Sequence, residues 1–248
     1  MYTNFARIYD QLMQDVDYSS WARHYHALLK ARGVQKGARC VECACGTGSL
    51  TIPLRKLGLN MTGVDLSEDM LEIAMDKARK AGVMIPFICQ DMRELSLPRR
   101  TDAVLCTCDG VNYLLTEDDL SQFLQSAAAA LKPGGALIFD LSTPFKLRYT
   151  LGSNMLNRAE EDYAYLWDNQ WDEENRTVSM LLTLFTREKG ETLFTRTQEM
   201  QTQRAWEMDE LIKAMEKAGF GDVRITGEMR MDSPGENDTR WHVSGVLG

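Results

Sequence analysis

Two glycines and three acids raise the first chemical question. In VECACGTGSL (Val41–Leu50) an apolar run reaches Glu42, passes through small residues and ends at Gly46 and Gly48. Glycines at the mouth of a strand let the backbone approach a ligand closely, and the helix that follows offers it free N–H groups. Asp65 in GVDLS and Asp91 in CQDMREL also fall where strands should end. A carboxylate at the first of these positions suits an unphosphorylated adenosine ribose, because it accepts hydrogen bonds from both hydroxyls. The loop begins a dinucleotide fingerprint, G-x-G-x-x-G, but the third glycine position is Thr51. Plainer explanations stand beside each feature. Short strand-to-helix turns use glycine, and acids commonly end strands or cap helices.

These residues need a frame to hold them. The spacing of Phe5, Ile8, Tyr9 and Leu12 predicts an N-terminal helix, and a second helix runs from about Ser19 to Arg32, before Gly33. Strands and helices then alternate. ARCVEC (38–43) is a strand, Ser49 to Leu57 a helix, and NMTGVD (60–65) a strand. Ser67 caps a helix that reaches Ala81 and stops at Gly82. MIPFICQ (84–90) and DAVLCT (102–107) are strands, and Thr116 starts a helix that ends near Lys132, where LKPGG supplies a stop. GALIFDLS (135–142) is a fifth strand. Such alternation implies right-handed crossovers and a parallel, doubly wound α/β sheet.

After about residue 157 the pattern changes. DYAYLWDNQWD, TVSMLLTLFTR and ETLFTRTQEMQTQ read as three long strands joined by DEEN and EKG, an antiparallel layer with no intervening helix. A helix from about Met208 to Ala218 and the strands VRITGEM and TRWHVSGVL follow. The expected organisation is a core over 1–156 that carries the N-terminal helices, an antiparallel β insertion over 157–206 covering the site, and a closing helix and two strands over 207–248.

Taken in order, the acid-x-Ala-x-Gly-x-Gly loop (Glu42, Ala44, Gly46, Gly48), Asp65, Asp91 with Met92 beside it, CTCDGVNYL and LKPGGALIFD occupy one continuous stretch ending at Asp140. This stretch resembles the class I S-adenosylmethionine-dependent methyltransferases, with alanine where their first motif usually has its first glycine. The resemblance implies a Rossmann-like, mostly parallel seven-stranded sheet, with the three-stranded antiparallel insertion before the last two sheet strands. It implies S-adenosylmethionine as methyl donor and S-adenosylhomocysteine as product. Glu42, Ala44, Cys45, Gly46, Gly48, Asp65, Leu66, Met70, Asp91, Met92, Cys108, Asp109 and Asn112 are then the donor-binding candidates. Asp65 would take the ribose hydroxyls, Asp91 the adenine amino group, and Met92 the ring face. The opening MYTNFARIYDQLMQDVDYSSW is similar to Y-x-x-F-A-x-x-Y-D, a pattern of small-molecule N-methyltransferases that act on glycine and amino sugars, and of bacterial relatives. In that subset the N-terminal helices fold over the donor, which adds Tyr2, Tyr9 and Trp21 as candidates; Phe5 reads as core.

For the acceptor, Tyr113, Trp167, Trp171, Arg196, Arg204 and His242 are the candidates, although solvated strand faces explain the charges just as well and core or sheet-face packing is the leading reading for His242. His24 and His26 read as surface residues. The cysteines pose a rival chemistry. Cys40 and Cys43 point to opposite faces of a strand, but Cys43/Cys45 and Cys106/Cys108 can meet on neighbouring strands, and four thiolates can bind zinc. Paired C-x-x-C knuckles are absent and free cysteine is usually buried, so apolar lining is the expected role and no metal is assigned.

Composition bounds the rest. The chain has 248 residues, 44% hydrophobic and 26% charged, which fits a soluble α/β domain with a small accessory layer. A net charge of −8 argues against a broad nucleic-acid footprint, which needs clustered lysine and arginine. No apolar run spans a bilayer, no signal-peptide core precedes the first helix, and six cysteines without such a leader point to reduced thiols in the cytoplasm. The expectation is a cytoplasmic enzyme that methylates a small molecule, mainly by positioning its reactants, with a nitrogen acceptor slightly favoured because no base stands out. Three alternatives stay open: a noncatalytic protein that binds the donor or its product, an NAD-dependent oxidoreductase, and an RNA methyltransferase. The second leaves Asp91 and LKPGG unexplained, and the third fits the acidic balance poorly.

Overall fold

Strands buried on both faces read as continuous apolar runs, and RCVEC and TDAVLC are runs of that kind. In a computed structural model, which describes residues 3–187 and 190–248, they form the middle of a sheet. Its parallel members are β1 (Arg39–Cys43), β2 (Asn60–Asp65), β3 (Phe87–Cys89), β4 (Thr101–Cys106) and β5 (Leu131–Ser142). A four-stranded antiparallel sheet follows: β6 (Met155–Ala159), β7 (Tyr163–Asp172), β8 (Thr177–Thr186) and β9 (Thr195–Arg204). The chain then returns to the first sheet through β10 (Phe220–Gly227) and β11 (Arg240–Leu247). The seven-stranded order is β10-β11-β5-β4-β1-β2-β3, with β11 antiparallel to both neighbours. This is the expected mostly parallel, Rossmann-like α/β sheet.

The helices are α1 (Thr3–Leu12), α2 (Tyr18–Ala31), α3 (Thr51–Lys56), α4 (Glu68–Lys80), α5 (Glu117–Ala130) and α6 (Met208–Lys217). Their starts follow local chemistry. The Asp17 carboxylate accepts from the Ser19 and Ser20 N–H groups, Ser67 accepts from Met70, and Thr116 and Asp119 form a reciprocal capping box. Phe123, Leu124, Trp206 and Leu211 fill one face of the sheet, and Tyr25, Leu28 and Leu54 the other. A smaller core seats the antiparallel sheet: Ile8 of α1 packs with Leu182 and Leu184, flanked by Tyr165 and Trp167. Each such buried leucine contributes about 1.5–3 kcal/mol, an upper bound because unfolded chains already hide some apolar surface. That seat makes the sheet a roof over α1 and the loops beneath it.

Three expectations shift. The third strand is shorter because Met84 is exposed and Pro86 accepts from the Gly63 N–H but has none to return. LKPGG is not a stop outside the fifth strand. Thr101 pairs with Leu131 and Ala103 with Ala136, so Lys132–Gly135 form a bulge inside β5, pinned by the Lys132–Asp102 ion pair. The antiparallel layer has a fourth strand, β6, which is mostly exposed and lacks an apolar alternation to announce it. Among the described residues no helix is long and apolar enough to cross a membrane.

Candidate active site

The glycine loop leaves β1 in an unusual backbone state. Ala44, Gly46 and Gly48 have φ of 51°, 52° and 70°, all left-handed. For alanine this costs about 1–2 kcal/mol, which explains why a glycine would suit that place in the motif. Gly48 is needed twice over, since a Cβ there would also sit 3.2 Å from that of Ala74 on α4. Beneath the loop lies Glu42, 1% exposed, which accepts hydrogen bonds from Thr51 at 2.5 Å and Thr107 at 2.6 Å. Burial pushes its carboxyl up to about 7 despite those two hydroxyls.

Asp65, at the end of β2, receives the Gly46 N–H on one oxygen at 2.7 Å and the Ser67 N–H on the other at 2.9 Å. Each carboxylate oxygen has a second lone pair, so the pair can still take two ribose hydroxyls. Asp91 caps the short turn after β3 and pairs with Arg93 at 2.7 Å; Arg93 also pairs with Asp119 on α5. The Arg93 hydrogen bonds hold the Asp91 carboxyl below its ordinary range. Met92 packs against the core and touches Cys106 through sulfur at 3.8 Å.

The loop after β4 is the second strained point. Cys108 and Asp109 have φ of 56° and 66°, consecutive left-handed residues without glycine. Asp140, fully buried on β5, holds this turn by accepting the N–H groups of both at 2.9 Å. Tyr25 and Arg240 also hydrogen-bond Asp140, and Arg240 pairs with Asp109 at 2.5 Å. Burial works to raise the Asp109 carboxyl, but Arg240 and Lys146 hold it down to about 2. Gly110 follows, where a Cβ would lie 2.6 Å from the Cys106 sulfur.

Across the glycine loop runs a latch from α1. Asp10 accepts from Thr47 at 2.6 Å and from Ser49 at 3.1 Å, and pairs with Lys77 of α4 at 2.6 Å. Lys77 donates in turn to Ser49 at 2.7 Å. These elements enclose a cleft of about 350 Å³. Among the predicted residues, Tyr9, Glu42, Ala44, Cys45, Gly46, Asp65, Leu66, Met70, Asp91, Met92, Cys108 and Tyr113 line it.

Other predicted residues act from outside the lining. Gly48 and Asp109 shape the two loops. Asn112 is fully buried and ties Ser142 of β5 to Arg204 of β9 through three hydrogen bonds. Trp21 stacks under Arg240. His242 is buried with its ring 5.3 Å from Tyr25 and 4.6 Å from His24, so His24 is no surface residue; burial holds His242 down to about 4. Trp167 and Trp171 pack under the roof, and Arg204 is spent on the Trp206 ring and the Leu115 carbonyl. Arg196 is exposed on the register positions opposite those of Glu199 and Gln201. Tyr2 lies outside the described residues.

The sequence reading missed several lining residues. Tyr18, Thr47, Ser49 and Thr107 are near motif positions in the chain and could have been found by following the loops. Gln201 reaches the cleft only because β9 folds back over it, a signal no local pattern carries. As for the thiols, burial pushes Cys40 up to about 12 and raises Cys43, Cys45, Cys106 and Cys108. Cys40, Cys43 and Cys106 pack in the cores on the two faces of the sheet, and Cys45 and Cys108 line the cleft.

Comparison with known proteins agrees with this geometry. A family model described as a methyltransferase domain matches residues 40–135. A Geobacillus sp. (strain WCH70) protein named as a methyltransferase is 34% identical over 96% of this chain and 96% of its own length. The crystal structure of a S-adenosylmethionine-dependent methyltransferase from Clostridium acetobutylicum is 30% identical with a TM-score of 0.89, covering 100% of this chain and 99% of that one. An amino pentose methyltransferase from Micromonospora echinaspora, solved with S-adenosylmethionine bound, shares the fold at 18% identity and a TM-score of 0.76 over 97% of each chain.

Proposed function

This chain belongs to the S-adenosylmethionine-dependent methyltransferases, and on that premise we propose that it methylates a small-molecule acceptor, on nitrogen rather than oxygen. The observation that carries this reading is the size and cover of the cleft. It measures about 350 Å³ and lies under Tyr9 and Tyr18 from the N-terminal segment and Gln201 from the roof. A cleft covered in this way favours a small molecule over a bulky polymer.

The donor's sulfonium supplies an already activated methyl group. The chain's residues then have three tasks. Asp65 holds the ribose, while Asp91 and Met92 accommodate the adenine. The strained turn held by Asp140 places Cys108 and Gly110 at the wall of the cleft. Tyr9, Tyr18 and Tyr113 exclude water and align the acceptor, a positioning effect that supplies several kcal/mol in well-oriented reactions, about 7–11 at most.

The preference for nitrogen rests on the ionisable groups in the cleft. Burial raises the Tyr9 and Tyr18 phenols well above their ordinary value, so both are neutral at pH 7. Glu42 is occupied by two hydroxyls beneath the loop. An alcohol needs a base to give up its proton, whereas a neutral amine brings its own lone pair. Calorimetric titration of ligand-stripped protein with S-adenosylhomocysteine, with NAD in parallel, tests the donor. Micromolar binding of the first alone is expected. Turnover of labelled donor with amine but not alcohol acceptors tests the rest; turnover with alcohols alone overturns the nitrogen preference, and binding without any turnover marks a noncatalytic protein.

A further inference from the structure

One wall of the cleft is held from behind by the last strand of the sheet. Cys108 and Asp109 are consecutive left-handed residues, a state that persists only where the surroundings impose it. Both of their N–H groups go to Asp140 at 2.9 Å, so that buried carboxylate is what the turn hangs on. Among the described residues every peptide bond is trans, and a trans peptide sets its carbonyl opposite its N–H. The carbonyls of Thr107 and Cys108 therefore turn away from Asp140, on two residues that line the cleft.

Asp140 does not stand alone. Arg240 of β11 sends Nη1 to Oδ1 of Asp109 at 2.5 Å and to Oδ1 of Asp140, and sends Nη2 to Oδ2 of Asp109 at 3.1 Å. Two acids, one fully buried and the other 20% exposed, thus meet at a single nitrogen. Without that charge they repel, and one of them keeps a proton to higher pH. The guanidinium is itself enclosed, because Trp21 of α2 covers it with its ring centroid 4.9 Å away. The other titratable groups that face the pair are Tyr25 and His24 on α2, His242 on β11, Glu42 on β1, Tyr9 on α1 and the thiols of Cys106 and Cys108. Burial pushes the phenols and thiols up and the imidazoles down, so none of these supplies a positive charge at neutral pH. Lys146, joined to Asp109 through the Ser142 hydroxyl at 2.9 Å on either side, is the further cation.

We propose that Arg240 is a positioning residue of the methyl-transfer cleft: by joining Asp109 to Asp140 it holds the strained turn in place, and with it the part of the wall made by Thr107, Cys108 and Gly110. Arg240 acts through the turn and does not line the cleft itself. The inference rests on the cleft being the donor site, and it goes beyond that reading because it names the group that keeps one wall in shape.

The test is calorimetric titration of the full chain with S-adenosylhomocysteine at pH 6 and pH 8, each variant being compared with the wild type at the same pH. Arg240→Met leaves the two acids without their guanidinium. At pH 6 a proton retained by the pair lets Asp140 keep the turn, and affinity should stay within about threefold of the wild type. At pH 8 both acids are ionised and repel, the turn is released, and affinity should fall at least about tenfold. Adding Asp109→Asn removes the repulsion and should bring the pH 8 affinity back within about threefold. Equal losses at both pH values mark a residue that only fills space and overturn the inference. Unchanged affinity in Arg240→Met overturns it too, as does a double variant without recovery. If Arg240→Met does not fold, Arg240→Lys, which keeps the charge and loses the fork, takes its place. Its deficit should then be at least about threefold larger at pH 8 than at pH 6 and be relieved by Asp109→Asn, and any other pattern overturns the inference. No binding by the wild type at either pH overturns the donor-site reading instead.

Discussion

The donor half and the roof treat their buried polar atoms in opposite ways. Among the described residues, no buried side-chain nitrogen or oxygen between Arg39 and Ser142 lacks a hydrogen-bond partner. In the roof, Tyr163, Trp167, Asn169, Thr197 and Arg204 each keep one such atom unpaired. In the stretch from Arg39 to Ser142, Glu42, Asp65 and Asp140 already hold the loops in place, and the unpaired atoms elsewhere under the large sheet belong to His24, Trp206, Thr226, Arg240, Trp241 and His242. The roof leaves polar atoms without partners where the loops beneath it leave none.

The sharpest way to break the comparison is to unsettle the satisfied half. Asp140→Ala leaves Arg240 short of a buried partner and releases the turn at Cys108 and Asp109, and the expected loss is about 3–5 kcal/mol of unfolding free energy by denaturant titration. A loss below about 1 kcal/mol would mean that the network is not a structural unit. Glu42 gives the next effect. Its folded pKa of about 7 lies above the ordinary 4.5, so the native state binds the extra proton and its contribution is complete below about pH 4.5. Stability should fall as pH rises from there through about 7, on the order of 3 kcal/mol in all. Glu42→Gln should flatten that slope; an equal slope in both proteins would assign it to another group.

Asp65→Ala comes third. Removing the carboxylate strands the ribose hydroxyls and should weaken S-adenosylhomocysteine binding by more than about tenfold in calorimetry, the size of a lost charged hydrogen bond or two. Unchanged affinity would remove Asp65 from the donor site. The smallest effect sharpens the other side of the comparison. Arg196 is exposed on the outer face of the roof, so Arg196→Ala should leave acceptor KM within about twofold, a surface effect. A larger change would move the acceptor to the wrong side of the sheet.

Much of this was legible from local signals. NMTGVD became β2 with the expected bounds, and Ser67 and Thr116 cap the helices they were expected to start. Many of the cleft-lining residues were legible because the motif concentrates them at strand ends, where period and chain position fix their place. What escaped was long-range. His24 meets His242 only because α2 packs on the β11 side of the sheet, and Gln201 meets Tyr113 across a separation of 88 residues. Trp21, expected at the donor, lies under Arg240, whose charge is fixed by Asp140 on β5 and Asp109 in the loop after β4. A single sequence records such meetings on both partners separately and on neither as a pair.

The Asp10 latch has a consequence for timing that salt can test. Asp10 and Lys77 are 38% and 28% exposed, and the hydrogen bonds around them tie α1 to the glycine loop that lines the cleft. Dissolved ions reach a pair exposed to this degree and screen it over about 8–10 Å. Residence time of S-adenosylhomocysteine should therefore shorten as ionic strength rises, and Asp10→Asn should abolish most of that dependence in stopped-flow release. A salt response identical in both proteins would separate the latch from product release. A helix held by so exposed a pair makes the grip on the glycine loop a property of the surrounding solution as well as of the fold.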